Sequence, residues 1–502
     1  MLVGIALAVP AGLLARSWWY RTPFDISARL ARRLSVRARL AWYQRPFLGW
    51  TFGYLGQPRW AMGTNEDSVG VIGPPRVNKT AGIALAQLLS WGGPLISVAP
   101  KPELFRLTAH RRRRLAKGHS GKVIIYAPTE SGRVEGLRPV RFSPADSRDL
   151  KEITLRVDGW LETSAAGQNV ENADHWRAGA GYLLRGLFLA AAHHRVRPGD
   201  FTLVYGWLSG GLSQDPKRAT RALEEPIQIL RDLRSFGSDQ WADDLEGMRD
   251  TPDRERASFF SAARTAIKAT ANPAVLRSTT GTDFDPERFL LSCSTLYIVS
   301  PTEHQKAVAP LIAMLVHSIV HTAYRLHREG RLPARLLLSL DDLANCCPLP
   351  QLESTISQGG GQGVNVAWNL QSFAQLRDHF GDQAAEAIWS ATRCKVIFGG
   401  LGDQQSLDRL AGLIQEEKVR GRAETVGADG KRHRTTQESW RPLLSAGQLR
   451  EVPDCWALLL YHNDRARMLR QPLAAKCHQF AGAMVAEPRH EAVAEAEPVA
   501  EV

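Results

Sequence analysis

Short apolar runs separated by Gly/Pro turns dominate the sequence from Ser68 onward. Val69–Ile72, Leu95–Val98, Val123–Tyr126, Thr295–Val299, Leu336–Leu340, Val364–Asn369, Lys395–Phe398 and Trp456–Tyr461 lack the polar alternation of a half-exposed strand, so they predict buried parallel strands. A chain with so many buried strands folds around a large α/β sheet. Between Ser143 and Pro286 the apolar runs nearly vanish, and helical patterns replace them over Ala178–His194, Ala222–Phe236 and Arg256–Ala271. An all-α domain inserted at 150–285 is therefore expected.

The composition agrees and excludes much else. At roughly 100–200 residues per domain, 502 residues allow about two to four domains. With 44% hydrophobic and 23% charged residues the chain is not mainly disordered, collagenous or a multi-pass membrane protein. Its formal net charge of +12 is unevenly placed: residues 1–60 carry nine Arg and one Asp, while Glu487 to Val502 carry five Glu and one Arg. Leu2–Ala15 is an uncharged run of 14 residues. As a helix it would span about 21 Å, short of the roughly 30 Å hydrocarbon core. Trp18, Trp19 and Tyr20 suit a membrane interface, and Arg16, Arg21, Arg29, Arg32, Arg33, Arg37 and Arg39 satisfy the positive-inside rule. The run thus reads as a candidate membrane anchor at 1–22, followed by a basic juxtamembrane segment at 23–60 and a cytoplasmic body. A buried core helix is the competing reading. The Ala/Glu/Pro/Val-rich end cannot bury a core, so 476–502 is expected to be an acidic disordered tail. Six cysteines show no CxxC or Cys/His metal spacing and fit a reducing compartment, with adjacent Cys346 and Cys347 read as small buried hydrophobes.

The chemistry gathers at strand ends. Val69-Gly70-Val71-Ile72 leads into Gly73-Pro74-Pro75-Arg76-Val77-Asn78-Lys79-Thr80-Ala81, with a helix-like continuation to Leu89. Strand, Gly-started loop, Lys-Thr and helix form the anatomy of a phosphate-binding loop, in which backbone N–H groups and a helix N-terminus cradle the phosphates. Lys79 would reach the β- and γ-phosphates of ATP, and the Thr80 hydroxyl would bind Mg²⁺. Asn78 stands where the pattern GxxxxGK[ST] has Gly; Asn tolerates a left-handed backbone best among non-glycine residues, so the loop is expected to survive the change. Alone, such a loop reads equally as a chance turn. A second apolar strand, Leu336–Leu340, ends in Asp341 and Asp342. The first acid would hold Mg²⁺ by way of a water, and the second would polarise the attacking water. A third strand ends in Leu370-Gln371-Ser372, which puts Gln371 where it would sense the γ-phosphate.

These segments resemble the type IV secretion coupling proteins, the TraG/TraD-like ATPases of conjugative DNA transfer. The resemblance rests on GPPRVNKTAG (73–82), SVAPKPELFRLTA (97–109), TLYIVSPTEHQKAVAPLIAML (295–315) and LLLSLDDLANCCPLPQLESTISQGGGQGVNVAWNLQSFAQLRDHFG (336–381), and runs from about residue 65 to 470. It implies a RecA-like P-loop NTPase domain in two parts, 61–149 and 286–475, with the all-α domain between them implicated in substrate and DNA contact. It also implies ring-shaped hexamers on the cytoplasmic face of the membrane that present relaxase-bound single-stranded DNA to the secretion channel.

Three departures from the family pattern bear on catalysis. Asn78 replaces Gly. Asp342 replaces the usual Glu and is about 1.5 Å shorter, where a misplacement of about 1 Å can lower a rate on the order of 10²-fold. Gly359–Gly363 lacks the family's Arg, and an arginine finger is worth roughly 10³ to 10⁵ in rate; Arg377 and Arg393 are alternative donors. Other candidates are Lys101 and Glu103 near the nucleotide, a basic cluster of Arg106, His110, Arg111–Arg114 and Lys117 that reads equally as a DNA-phosphate track or a solvated helix face, and Trp160, Trp176 and Trp207 for base stacking or helix packing. The first functional reading is an ATP-driven DNA-transfer motor. The alternative is a docking platform with weak or no ATPase activity that recruits the transfer complex. A chromosome-segregation motor of the FtsK/HerA type shares the chemistry but fits the LAN and Pro-Leu-Pro residues less well.

Overall fold

The computed structural model of the chain describes residues 45–52, 58–117, 120–163, 173–213, 215–301, 303–343, 349, 352–414, 416–426, 432–471 and 474. The candidate anchor, most of the juxtamembrane segment, the acidic tail, Cys346 and Cys347, and most of the LAN and Pro-Leu-Pro residues lie outside these.

The apolar runs become strands, and Val69–Ile72, Leu95–Ala99, Thr295–Val299, Leu336–Leu340 and Val364–Leu370 are buried at every residue. β1 (Phe47–Phe52), β2 (Pro58–Met62), β3 (Val69–Ile72), β4 (Leu95–Ala99), β5 (Val123–Tyr126), β6 (Thr295–Val299), β7 (Leu336–Leu340), β8 (Val364–Leu370), β9 (Cys394–Phe398), β12 (Trp456–Tyr461) and β13 (Arg467–Arg470) form one sheet. Its order is β2-β1-β13-β12-β9-β3-β8-β7-β4-β6-β5. From β9 to β5 all neighbours are parallel. The parallel expectation fails at Trp456–Tyr461, since β12 runs antiparallel to β9 and β13. Ala457, Leu458 and Leu459 are as buried as any parallel strand, so an apolar run reports two-sided burial and not strand direction. β10 (Glu416–Val426) and β11 (Arg432–Pro442) pair only with each other.

The layers follow from the alternation of side chains. Val69, Val71, Leu95 and Leu337 face a cluster with Ile83, from the turn Lys79–Ala84, and with Leu85, Leu88, Leu104 and Phe105, contributed by α1 (Leu85–Ser90) and α2 (Glu103–Lys117). Ile72, Ile96, Leu338 and Leu340 face the opposite way, into a core shared with the helices described next. Burying each such side chain stabilises by roughly 1.5–3 kcal/mol.

Between β5 and β6 the chain is helical: α3 (Leu150–Thr163), α4 (Ala173–Ala192), α5 (Phe201–Gly211), α6 (Pro216–Asp232), α7 (Phe236–Asp250), α8 (Asp253–Ala266), α9 (Pro273–Arg277) and α10 (Pro286–Leu291). Local signals set several starts: Asp200, Asp215 and Ser235 each accept a backbone N–H at the first turn of the helix they precede. The tryptophans weighed for base stacking pack this bundle instead. Buried Trp160 stacks on Phe201 at 5.4 Å and donates to Ala266 O at 3.0 Å, Trp207 donates to Glu225 Oε2 at 2.9 Å, and Trp176 lies 5.4 Å from Phe259.

After β6 come α11 (Gln305–Arg328), α12 (Leu352–Gly359), α13 (Phe373–Ala391), α14 (Gln404–Leu413) and α15 (Ala446–Arg450). Residues Ala307–Arg328 are long and apolar enough to cross a membrane by length and composition. Here they pack on α3, α10 and β8, with Val308, Leu311, Ile312, Leu315, Val316 and Ile319 buried, so α11 is a core helix of this fold.

Candidate nucleotide-binding site

Strand register brings the candidate residues to one edge of the sheet. Ile72 pairs with Leu370 and Leu340 with Trp368. Gly73, Gln371 and Asp341 therefore follow strands β3, β8 and β7 at the same C-terminal edge, with β8 between the loop and the acidic pair. Gly73 N–H donates to Leu370 O at 3.2 Å. A Cβ on Gly73 would lie 2.7 Å from Phe398 Cβ, so only glycine lets the loop rest on the end of β9. Pro74 is partly exposed, and Pro75 and Arg76 are exposed at the loop's crest.

Asn78 adopts the left-handed backbone that its position demands, φ 69° and ψ 23°. Arg76 also has φ 69°. Gly82 N–H donates to Asn78 O at 2.7 Å, starting a π-helical turn over Lys79–Ala84 that contains Thr80 and Ala81 and continues into α1. The Lys79 ammonium curls back over the loop, donating to Pro74 O at 2.7 Å and to Gly73 O. Burial lowers its pKa, while Asp341 and Asp342 pull the other way.

Asp341 is the electrostatic centre. Its oxygens accept from Thr80 Oγ1 at 3.0 and 2.9 Å and from Asn369 Nδ2 at 2.9 Å. Burial pushes this carboxyl above its usual range, although the bonds from Asn369 and Thr80 oppose the shift; Asp342 adds to it and Lys79 counters it. A buried carboxylate beside a hydroxyl is a hard-oxygen pair of the kind Mg²⁺ takes together with phosphate and water. Asp342 follows at φ 59°, partly exposed. The Gln371 N–H donates to Gln375 Oε1 at 3.0 Å.

Asn369 is the residue that sequence reasoning missed as part of the site. Its signal was present: it lies two residues before Gln371 on β8, and the pairing of Leu340 with Trp368 sets it beside Asp341.

Other candidates separate from this cluster. Lys101 and Glu103 lie just beyond β4 on the same sheet edge. Arg393 precedes Cys394, which pairs with Val69 at the first residue of β3; it is therefore at the opposite edge, 3.9 Å from Asp67. Arg377 lies over the Phe373 ring at 4.8 Å and donates to Gln405 at 2.9 Å. The glycine segment 359–363 also precedes its strand at the opposite edge, where Arg335 donates to Gly360 O and to Asn365 Oδ1. Within the basic cluster, Arg112 is not available to DNA: it is 1% exposed and donates to Thr295 Oγ1, Trp91 O and Gly93 O.

A phosphate loop, a buried acid on a neighbouring strand and a polar strand between them set the frame for comparison. The profile of the family "Type IV secretory system Conjugative DNA transfer" matches residues 32–487. The chain belongs to that family. Among its relatives, the conjugal transfer protein TraG of Escherichia coli is 25% identical over 401 residues, which is 76% of this chain and 61% of TraG. Protein VirD4 of Agrobacterium fabrum is 23% identical over 433 residues, 84% of this chain and 61% of VirD4. The chain thus spans about three fifths of the length of these relatives. Among solved structures, the plasmid coupling protein TrwB in complex with ADP and Mg²⁺ superposes with a TM-score of 0.56 at 18% identity, covering 84% of this chain and 88% of TrwB. That likeness identifies the fold as a RecA-like P-loop domain carrying an all-α domain.

Proposed function

We propose that this chain is the coupling protein of a conjugative type IV secretion system, a membrane-associated ATPase that delivers relaxase-bound single-stranded DNA to the transfer channel. The observation that carries this is the bonding of Thr80 and Asn369 to buried Asp341 at the loop's edge, in a family of conjugative DNA transfer proteins. TrwB, a solved structure of similar fold, has been seen with ADP and Mg²⁺ and with a non-hydrolysable ATP analogue, which supports ATP and Mg²⁺ as the ligands here. When bound, Mg²⁺ neutralises charge on the β- and γ-phosphates.

The chain's own residues do the rest. The Lys79 ammonium exchanges the Gly73 and Pro74 carbonyls for phosphate oxygens, with backbone N–H groups of residues 73–81 completing the cradle. Thr80 and Asp341 would hold the metal, Asp341 by way of a water. Asp342 accepts a proton of the attacking water and aligns it, and Gln371 couples the γ-phosphate state to movement of β8 and α13. The ring is a hexamer, and the domain plan read from the sequence keeps the anchor at 1–22, nucleotide-binding parts at 61–149 and 286–475, helical domain at 150–285 and tail at 476–502; the juxtamembrane segment read at 23–60 ends earlier, because β1 and β2 join the sheet of the nucleotide-binding part.

The docking-platform reading draws on the one-methylene-shorter Asp342 and the arginine-free segment 359–363. DNA transfer decides between them. In cells whose own copy is replaced by Lys79→Ala, transfer is lost if the chain is a motor. Undiminished transfer would overturn the motor reading and leave the platform.

A further inference from the structure

We infer that Cys455 is a positioning residue for the phosphate loop, holding Asn78 in the left-handed conformation that glycine provides in the standard motif; this rests on the nucleotide-binding reading of that loop. Asn78 Nδ2 donates to Cys455 Sγ at 3.5 Å across 377 residues of sequence. A thiol sulfur is a weak acceptor, so the contact matters through the rigidity of what carries it. Cys455 has φ 63°, and its carbonyl accepts the Gln471 N–H at 2.6 Å. The preceding segment is bound to the end of β9: Gly400 N–H donates to Arg450 O at 2.8 Å, and a Cβ on Gly399 would lie 2.2 Å from Val452 O. β9 in turn supports the loop through Phe398 under Gly73. Residues 450–455 therefore form a fixed support at the loop, and Cys455 is where that support grips a side chain of the loop.

The grip has a chemical purpose. Asn78 is the residue before Lys79, and its carbonyl accepts the first helical N–H, from Gly82. Fixing Asn78 fixes the direction of the Lys79 and Thr80 N–H groups, which must converge on phosphate. Glycine in this position has no side chain to tether. The Asn and the sulfur are thus one device, and substituting Asn78 by Gly removes the need for Cys455.

The test is a double-mutant cycle on the full chain with Cys455→Ala, Asn78→Gly and the pair, reading the Kd for ADP with Mg²⁺ and the Tm without nucleotide. Cys455→Ala weakens ADP binding about threefold to tenfold in the Asn78 background and changes nothing further when added to Asn78→Gly. Cys455→Ser, which keeps a polar acceptor, restores most of the affinity. The Tm values show the same non-additivity. Equal effects of Cys455→Ala in both backgrounds, in Kd and in Tm, would overturn the inference. Non-additive Tm values in a chain that fails to bind ADP would instead uphold the tether and remove the nucleotide reading.

Discussion

Replacing Asp341 by Asn should stabilise the nucleotide-free protein while abolishing its response to Mg²⁺. The carboxylate accepts from Thr80 Oγ1 and Asn369 Nδ2, and an Asn side chain can keep both contacts. Its Oδ1 accepts from Asn369, and its Nδ2 donates to the Thr80 hydroxyl, which is also an acceptor. The exchange turns two charge-assisted bonds into neutral ones, a loss of about 2–3 kcal/mol. It also removes the burden of a buried ion, several kcal/mol. The upward shift of the Asp341 carboxyl, caused first by burial, shows that the ion's burden is the larger. A net gain of about 1 kcal/mol, or about 1–2 °C in Tm, is expected. A carboxyl raised on folding contributes stability that is full below the ordinary carboxylate range and is lost as pH rises through the folded pKa. The advantage of the Asn variant therefore vanishes at low pH and grows as pH rises through the folded pKa of Asp341. The assay is thermal unfolding in EDTA from pH 4 to 8, repeated with ADP and Mg²⁺. At ligand about 100-fold above Kd the wild type gains about 2.7 kcal/mol, and the variant loses the part that depends on Mg²⁺. An Asn variant less stable than wild type in EDTA at pH 8, or one with an intact Mg²⁺ response, would refute the reasoning.

Two further outcomes follow from the geometry. Arg112→Met should lower stability by about 3–5 kcal/mol, measured by denaturant unfolding, because it strips donors from Thr295, Trp91 and Gly93 in the core; exposed Arg114→Ala should change stability by less than about 0.5 kcal/mol. The family's missing arginine can be grafted at Gly361, where an added Cβ meets nothing within 4 Å, but not at Gly360, where it would lie 2.2 Å from Glu66 O. Gly361→Arg should melt with the wild type and Gly360→Arg well below it.

The fold was readable where an unbroken apolar run is buried; β1, whose apolar residues are interrupted by Gly49 and Thr51, was missed although Phe47 and Leu48 are fully buried. β3, β5, β6 and β7 appear at their expected bounds because their residues are apolar without alternation. β13 was missed because Arg467 and Arg470 flank only Met468 and Leu469. β10 and β11 were missed because their mostly polar sequences, EEKVRGRAETV and RHRTTQESWRP, carry no sustained apolar run. The candidate site was legible as strand-end residues, and the expectation for Asn78 agrees with its backbone. Asn369 escaped because its role depends on which strands are neighbours: loop and acids suggest adjacent strands, whereas β8 lies between them. Arg112 escaped because a run of four arginines on α2 reads as a solvated face, while its register turns one of them inward.

Steady-state ATP hydrolysis by the full chain, with and without single-stranded DNA, for wild type and Lys79→Ala, tests the central claim most directly. The account predicts Mg²⁺-dependent turnover that rises with single-stranded DNA and disappears in the variant. Turnover that persists unchanged in Lys79→Ala, or a wild type that hydrolyses nothing with DNA and Mg²⁺ present, would contradict it.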